Sequence, residues 1–160
     1  MGIEVRLRLA KVVSEETIVP ELAAETKGAA IKELVTALAD AGMLPKAKVK
    51  DVSRAVLERE NLGSTGIGKG IAVPHVKLPF IKEPIGAMGK SARGIDFSSL
   101  DGSLTRTVFL FVSPTDPPDK HVALMSRFVT LIRKGDFVKF LAQTEGRRQL
   151  HDFLVEVDEW

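Results

Sequence analysis

The segment from 59 to 75 reads Arg59-Glu60-Asn61-Leu62-Gly63-Ser64-Thr65-Gly66-Ile67-Gly68-Lys69-Gly70-Ile71-Ala72-Val73-Pro74-His75. It narrows the conformations open to this chain more than any other stretch. Glycine allows positive φ and close approach of the backbone to a ligand. Successive N–H groups in such a loop form an anion-binding nest. Pro74 fixes its own φ and holds Val73 extended. The imidazole of His75 is therefore presented from a stiff stalk, just after an apolar run that reads as a strand over 67–73. A neutral imidazole is nucleophilic near pH 7, because its unperturbed pKa is about 6.5. Such a group attacks phosphorus in line, while loop amides and nearby cations spread the charge on the three equatorial oxygens. On this reading His75 carries a phosphoryl group, and Ser64, Thr65, Gly66 and Gly68 are the candidate phosphate-binding positions.

Other chemistries fit the segment less well. Residues 63–69 match G-x-x-x-x-G-K, but Gly70 stands where a nucleotide-binding loop has a magnesium-binding Ser or Thr. The segment after Gly70 reads as a strand ending in Pro-His and not as a helix. The glycines at 66, 68 and 70 have the wrong spacing for a dinucleotide fingerprint. A tight turn that uses glycine for geometry alone needs neither so many glycines nor the hydroxyl pair. Taken by itself, His75 also fits a structural histidine bonded to a carbonyl.

His121 falls in the first turn of a predicted helix, three residues after Pro118. Helix N-termini favour anions, and a histidine there can donate a hydrogen bond to a bound phosphoryl group. The rival reading is a surface histidine without a role. Arg59 sits at the predicted end of another helix, where it either complements the helix dipole or contacts the phosphoryl group and orients His75. The two histidines form no His-x-x-x-His pair and have no third ligand, so no metal and no cofactor is expected. His151 has no partner motif. Phe109 and Phe111 read as core, and Lys134, Lys139, Arg147 and Arg148 as a solvated face.

Around these residues the periodicities define the elements. Ile3, Val5, Leu7 and Leu9 alternate with charges, which predicts a strand over 3–9, an N-terminal addition within 1–11. Residues 14–16 break it, and Ile18-Val19 forms a short strand ended by Pro20. Thr26 reads as an N-cap for a helix carrying Ala30, Ile31, Leu34, Val35, Leu38 and Ala41, with Gly42 at C′. A second helix spans 46–60, with Val49, Val52, Ala55 and Val56 on its apolar face. Strands come next at 67–73, 85–90 and 107–113. The last is apolar on both faces and hence central. After a loop over 114–118, Asp119 reads as the N-cap of a helix burying Val122, Met125, Val129 and Ile132, stopped by Gly135. Two shorter helices cover 136–142 and 145–155. Helices on both sides of a strand-rich middle imply a sheet covered on two faces.

The length of 160 residues corresponds to one domain, 1–160. A net charge of +2, from 23 basic against 21 acidic residues, gives no basic face of the kind nucleic acid selects. The chain has no cysteine, which removes disulfides, thiolate nucleophiles and Cys-based metal sites and fits a reducing cytoplasm. Residues 1–10 alternate charged and apolar residues, so no signal peptide is expected, and no run reaches the roughly 18 apolar residues that would insert into a membrane.

The pattern Arg-Glu-x-Leu-Gly-Ser-Thr-Gly-Ile-Gly-x-Gly-Ile-Ala-Val-Pro-His resembles the active-site signature of EIIA domains of the bacterial phosphoenolpyruvate:sugar phosphotransferase system, of the fructose/mannitol and nitrogen-regulatory type. The similarity runs from about Val12 onwards and includes the order strand 107–113, loop, His121 opening a helix. The resemblance implies a three-layer α/β/α sandwich around a central mixed β-sheet. It implies that His75 is phosphorylated by the phosphocarrier protein HPr or a paralogue, that His121 assists by hydrogen bonding, and that Arg59 belongs to the Arg-Glu pair near the site. In sugar transport the phosphoryl group then passes to an EIIB partner, expected here to be a separate protein. In the nitrogen-type branch the phosphorylation state instead controls binding to regulated partner proteins.

Overall fold

The computed structural model describes residues 7–160. A short helix α1 (Leu9–Val12) leads into strand β1 (Val13–Val19), helix α2 (Lys27–Asp40), a 3-10 turn at Lys46–Lys48 and helix α3 (Val49–Leu62). Strands β2 (Gly66–Gly68), β3 (Ile71–Ala72), β4 (His75–Leu78), β5 (Ile85–Ile95) and β6 (Thr105–Pro114) come after it. Helices α4 (Asp119–Ile132), α5 (Gly135–Gln143) and α6 (Arg147–Val157) complete the chain. The strands form one sheet in the order β1-β5-β6-β3-β2, with β4 also paired to β6. The sheet is mixed: β1 runs parallel to β5, β3 and β4 run parallel to β6, and β5 is antiparallel to β6.

β6 is the centre of the sheet because its side chains are apolar on both faces. Phe109 and Phe111 join a core with α1, α4, α5 and α6 on one face. Val108, Leu110 and Val112 join a second core with α2 and α3 on the other. The strand period of two separates the two sets, and the result is the expected three-layer α/β/α sandwich. Gly86 on β5 is part of this fit, since a Cβ there would lie 2.8 Å from Phe111 Cδ1 and 3.0 Å from Val13 Cγ2. Among the described residues no helix is long and apolar enough to cross a membrane.

The α2 signals hold. Thr26 is the N-cap, its side chain accepting from Ala29 N at 3.2 Å, and Gly42 comes just past the helix at φ 79°. Several other expectations are corrected. Of the predicted strand 3–9, residues 3–6 lie outside the described residues, Leu7 and Arg8 have no regular structure, and Leu9 opens α1. Ser14, Glu15 and Glu16 do not interrupt β1. The ladder to β5 is irregular between Val13 and Ile18, so an edge-strand bulge keeps those two residues buried while the polar residues face outward. The run 67–73 is not one strand but a hairpin of β2 and β3. Lys69 and Gly70 have φ of 58° and 77°, the positive pair that a two-residue type I′ loop requires.

Two corrections concern α4. Asp119 is its first helical residue and not its cap; Pro118 precedes it without a side-chain cap. The buried face comprises Leu124, Phe128, Leu131 and Ile132, whereas Val122 and Val129 are exposed. Two apolar stripes compete on this helix, and the sheet selects between them. Phe128 packs edge-on against both Phe109 and Phe111, with ring centroids 4.8 and 5.4 Å apart. Aromatic side chains bury the most area per residue, so the stripe bearing Phe128 faces the core.

Candidate functional site

β3 and β4 run in one line along β6, with Ile71, Ala72 and His75 opposite Thr107, Val108 and Phe111 in unbroken register. Pro74 interrupts the strand because it has no N–H to give the ladder. Its carbonyl still accepts from Phe111 N at 3.1 Å. The predicted stalk is thus a parallel strand braced by the most buried strand of the sheet, and His75 is its first residue after the break.

The rotation of α4 brings His121 to the same place. His121, Leu124 and Phe128 share one helical face by their spacing of three and seven residues. The contacts that dock α4 therefore turn His121 over the sheet. The His75 and His121 ring centroids lie 5.4 Å apart, with the planes tilted by 33°.

The hydrogen bonds assign the protons of His75. Its Nδ1 lies 2.7 Å from the Val73 carbonyl oxygen. A carbonyl only accepts, so Nδ1 carries the proton and Nε2 holds the free lone pair. Burial lowers the His75 pKa below 6.5. The charges of Arg59 and Lys77 act in the same direction, against the Val73 carbonyl and Glu60. His121 is pushed down to about 4, by burial first and then by His75 and Lys77. Both rings are neutral at pH 7. His121 Nδ1 is 2.8 Å from Ser113 Oγ at the end of β6.

Arg59 lies in the last turn of α3 and donates from Nη1 to the Gly63 carbonyl at 3.2 Å. This satisfies a carbonyl at the helix end and ties the guanidinium to the start of the Gly-rich loop. Its positive charge also lies near enough to His75 to lower the imidazole pKa, after the larger effect of burial.

The four expected phosphate-binding positions, Ser64, Thr65, Gly66 and Gly68, each have partners within the chain. The Ser64 hydroxyl donates its one hydrogen to the Phe97 carbonyl and accepts from Gly66 N at 3.0 Å. Thr65 donates both its N–H, at 2.9 Å, and its hydroxyl to the Glu60 carboxylate. Gly66 thereby has its N–H engaged as well. Gly68, at φ 85°, backs onto Asp101, whose Oδ2 would lie 2.7 Å from a Cβ there and which accepts from Lys69 N at 3.0 Å. A carboxylate beside that turn opposes an anion. These contacts hold the shape of the loop.

Sequence reasoning missed Lys77 and Ser113, and gave Glu60 no role of its own beyond its place in the Arg-Glu pair. Glu60 is 2% exposed. Its signal was its spacing, one helical repeat beyond Val52 and Val56 on the inward face of α3. Lys77, two residues after His75 on β4, shares its face of the strand. Ser113 gave no signal, because only the packing of α4 over β6 brings it to His121. Among the described residues no three His, Asp or Glu side chains converge as a metal-ligand set. A cleft beside α2, lined among others by Glu16, Lys32, Asp40 and Arg147, includes neither His75 nor His121.

A family model of the phosphoenolpyruvate-dependent sugar phosphotransferase system, EIIA 2, matches residues 11–157. A nitrogen regulatory protein of Bradyrhizobium diazoefficiens is 33% identical over 142 residues, which cover 89% of this chain and 91% of that protein. The phosphotransferase system fructose-specific EIIABC component of Bacillus subtilis is 32% identical over 152 residues; these are 95% of this chain and 24% of that longer protein. In fold, the nitrogen regulatory protein IIA-Ntr from Neisseria meningitidis matches with a TM-score of 0.81 at 22% identity, covering 91% of this chain and 98% of that one.

Proposed function

The chain belongs to the EIIA 2 family of the phosphoenolpyruvate-dependent sugar phosphotransferase system, a phosphoryl-transfer component, and we propose that it carries the phosphoryl group on Nε2 of His75. The carrying observation is the bond from His75 Nδ1–H to the Val73 carbonyl, which leaves the Nε2 lone pair free on a braced strand. HPr or a paralogue is the donor. As the His75 Nε2–P bond forms, the P–N bond of the phosphorylated donor breaks, and its electron pair stays on the donor's imidazole nitrogen. No proton has to leave His75 for attack, since Nδ1–H is already in place. His121, Arg59 and Lys77 supply hydrogen bonds and charge to the equatorial oxygens, which gather negative charge in transit.

The phosphoryl group then passes to a separate EIIB protein and on to sugar. A half-buried histidine on an open face suits exchange with another protein, whose surface excludes water on docking. This reading puts the carrier in the cytoplasm, with neither a metal nor a bound cofactor in the transfer. A second reading is regulatory, and the nitrogen regulatory relative matched over 91% of its length favours it. There the charge added at His75 switches contacts with partner proteins.

The test is intact-mass analysis after incubation with phosphoenolpyruvate, enzyme I and HPr or its paralogue, with His75→Ala beside the wild type. One acid-labile phosphoryl group should appear on wild type only. Acceptance by His75→Ala at the wild-type rate overturns the assignment. Rapid loss of the group to a cognate EIIB supports transport, whereas stable partner binding that depends on phosphorylation supports regulation.

A further inference from the structure

We propose that Ser113 is a positioning residue for the phosphoryl transfer, fixing His121 as the tautomer that carries its proton on Nε2. The Ser113 side chain is fully buried, and among the described residues its hydroxyl meets a single hydrogen-bonding partner, His121 Nδ1 at 2.8 Å. A bond between a hydroxyl and an imidazole nitrogen can run in either direction. If Nδ1–H donated to Ser113, the serine hydrogen would be left in the core without an acceptor, an arrangement proteins avoid. If Ser113 donates to Nδ1, every group is satisfied. Burial and the neighbouring charges keep His121 neutral, so its two nitrogens are not both donors. The proton therefore sits on Nε2, at the edge of the ring away from Ser113.

This inference rests on the carrier reading, and it gives the two histidines opposite roles. Val73 takes the Nδ1 proton of His75 and frees an Nε2 lone pair. Ser113 fills the Nδ1 lone pair of His121 and leaves an Nε2–H donor. One ring offers an electron pair to phosphorus, and the other offers a hydrogen bond to its oxygens. The opposite His121 tautomer would present a lone pair to an anionic oxygen. No proton moves at His121 during the step. β6 supplies the hydroxyl one residue before its end, opposite Lys77 on β4.

The experiment joins a tautomer measurement to a rate. Long-range proton–nitrogen NMR on the unphosphorylated protein reads which His121 nitrogen is protonated. Phosphorylated HPr, or the paralogue that loads the wild type, then gives the acceptance rate for wild type, Ser113→Ala and Ser113→Thr, each also in a His121→Ala background. We expect Nε2–H in wild type and mixed tautomers in Ser113→Ala. Acceptance should be about tenfold slower in Ser113→Ala, the scale of one charge-assisted hydrogen bond, and restored towards wild type in Ser113→Thr. With His121 absent, Ser113→Ala should slow the reaction no further. A proton on Nδ1 of wild-type His121 overturns the proposal even if Ser113→Ala fails to fold. So does a Ser113→Ala rate loss of equal size with and without His121. Failure of wild type to accept any phosphoryl group would remove the carrier reading, while the tautomer would still be decided by the NMR alone.

Discussion

Thr65→Val probes what holds the Gly-rich loop in place. Glu60 is 2% exposed, and its carboxylate takes both its hydrogen bonds from Thr65, one from the backbone N–H and one from the hydroxyl. Thr65 also accepts from Val73 N at 3.1 Å, so this residue links α3 to the strand that presents His75. Valine keeps the shape and the N–H but removes the hydroxyl. One oxygen of a buried carboxylate then loses its donor, at a cost of about 2 kcal/mol for a hydrogen bond to a charged group. For a chain of this size that is a fall in melting temperature of about 6 °C. Urea unfolding monitored by circular dichroism measures the loss, and Thr65→Ser, which keeps the hydroxyl, separates the hydrogen bond from the lost methyl packing. Equal losses for valine and serine, or a valine loss below about 0.5 kcal/mol, would refute the account.

The rate of phosphoryl acceptance should fall as pH drops, with a midpoint below 6.5, because attack needs neutral His75 and its pKa is lowered; a midpoint at or above 6.5 contradicts this. His121 binds its proton less readily folded than unfolded, with a folded value of about 4 against 6.5. Its neutral-state contribution to stability is therefore complete above 6.5 and lost as pH falls from 6.5 to 4, so the stability gap between wild type and His121→Gln, read by urea unfolding, should shift against wild type across that window. Asp158→Ala should cost about 2 kcal/mol, because this buried carboxylate accepts from Leu9 N at 2.7 Å and Ala10 N at 2.9 Å and caps α1 from the far end of the chain; an unchanged urea midpoint would count against it. Gly68→Ala should destabilise by about 1–2 kcal/mol, since its φ is 85° and its Cβ would meet Asp101; a neutral result would mean that the turn relaxes at no cost.

The sequence spoke clearly where a residue's chemistry acts locally. Thr26 and Gly42 bound α2 because capping depends on neighbours within one turn. The double-faced apolar run of β6 announced a central strand, because burial on two sides leaves no polar face. The Gly-rich loop and Pro-His placed His75, since proline and glycine act on their own backbone. Errors came where two local readings were equally good. The run 67–73 fits a strand or a hairpin until Lys69 is pinned at positive φ by Asp101, thirty-two residues on. The polar 14–16 looked like a break because a bulge on an edge strand leaves no trace in alternation.

By itself, then, the sequence determined the layer architecture, the family motif and which imidazole is presented on a stiff stalk, all consequences of side-chain pattern over a few residues. The tertiary structure decided the chemistry between distant residues. It chose the α4 stripe by fitting Phe128 to Phe109 and Phe111, and so turned His121 toward His75. It paired the Ser64 and Thr65 hydroxyls with Phe97 and Glu60. It also fixed where each imidazole proton sits, because a tautomer depends on the one acceptor or donor that the fold brings within hydrogen-bond reach.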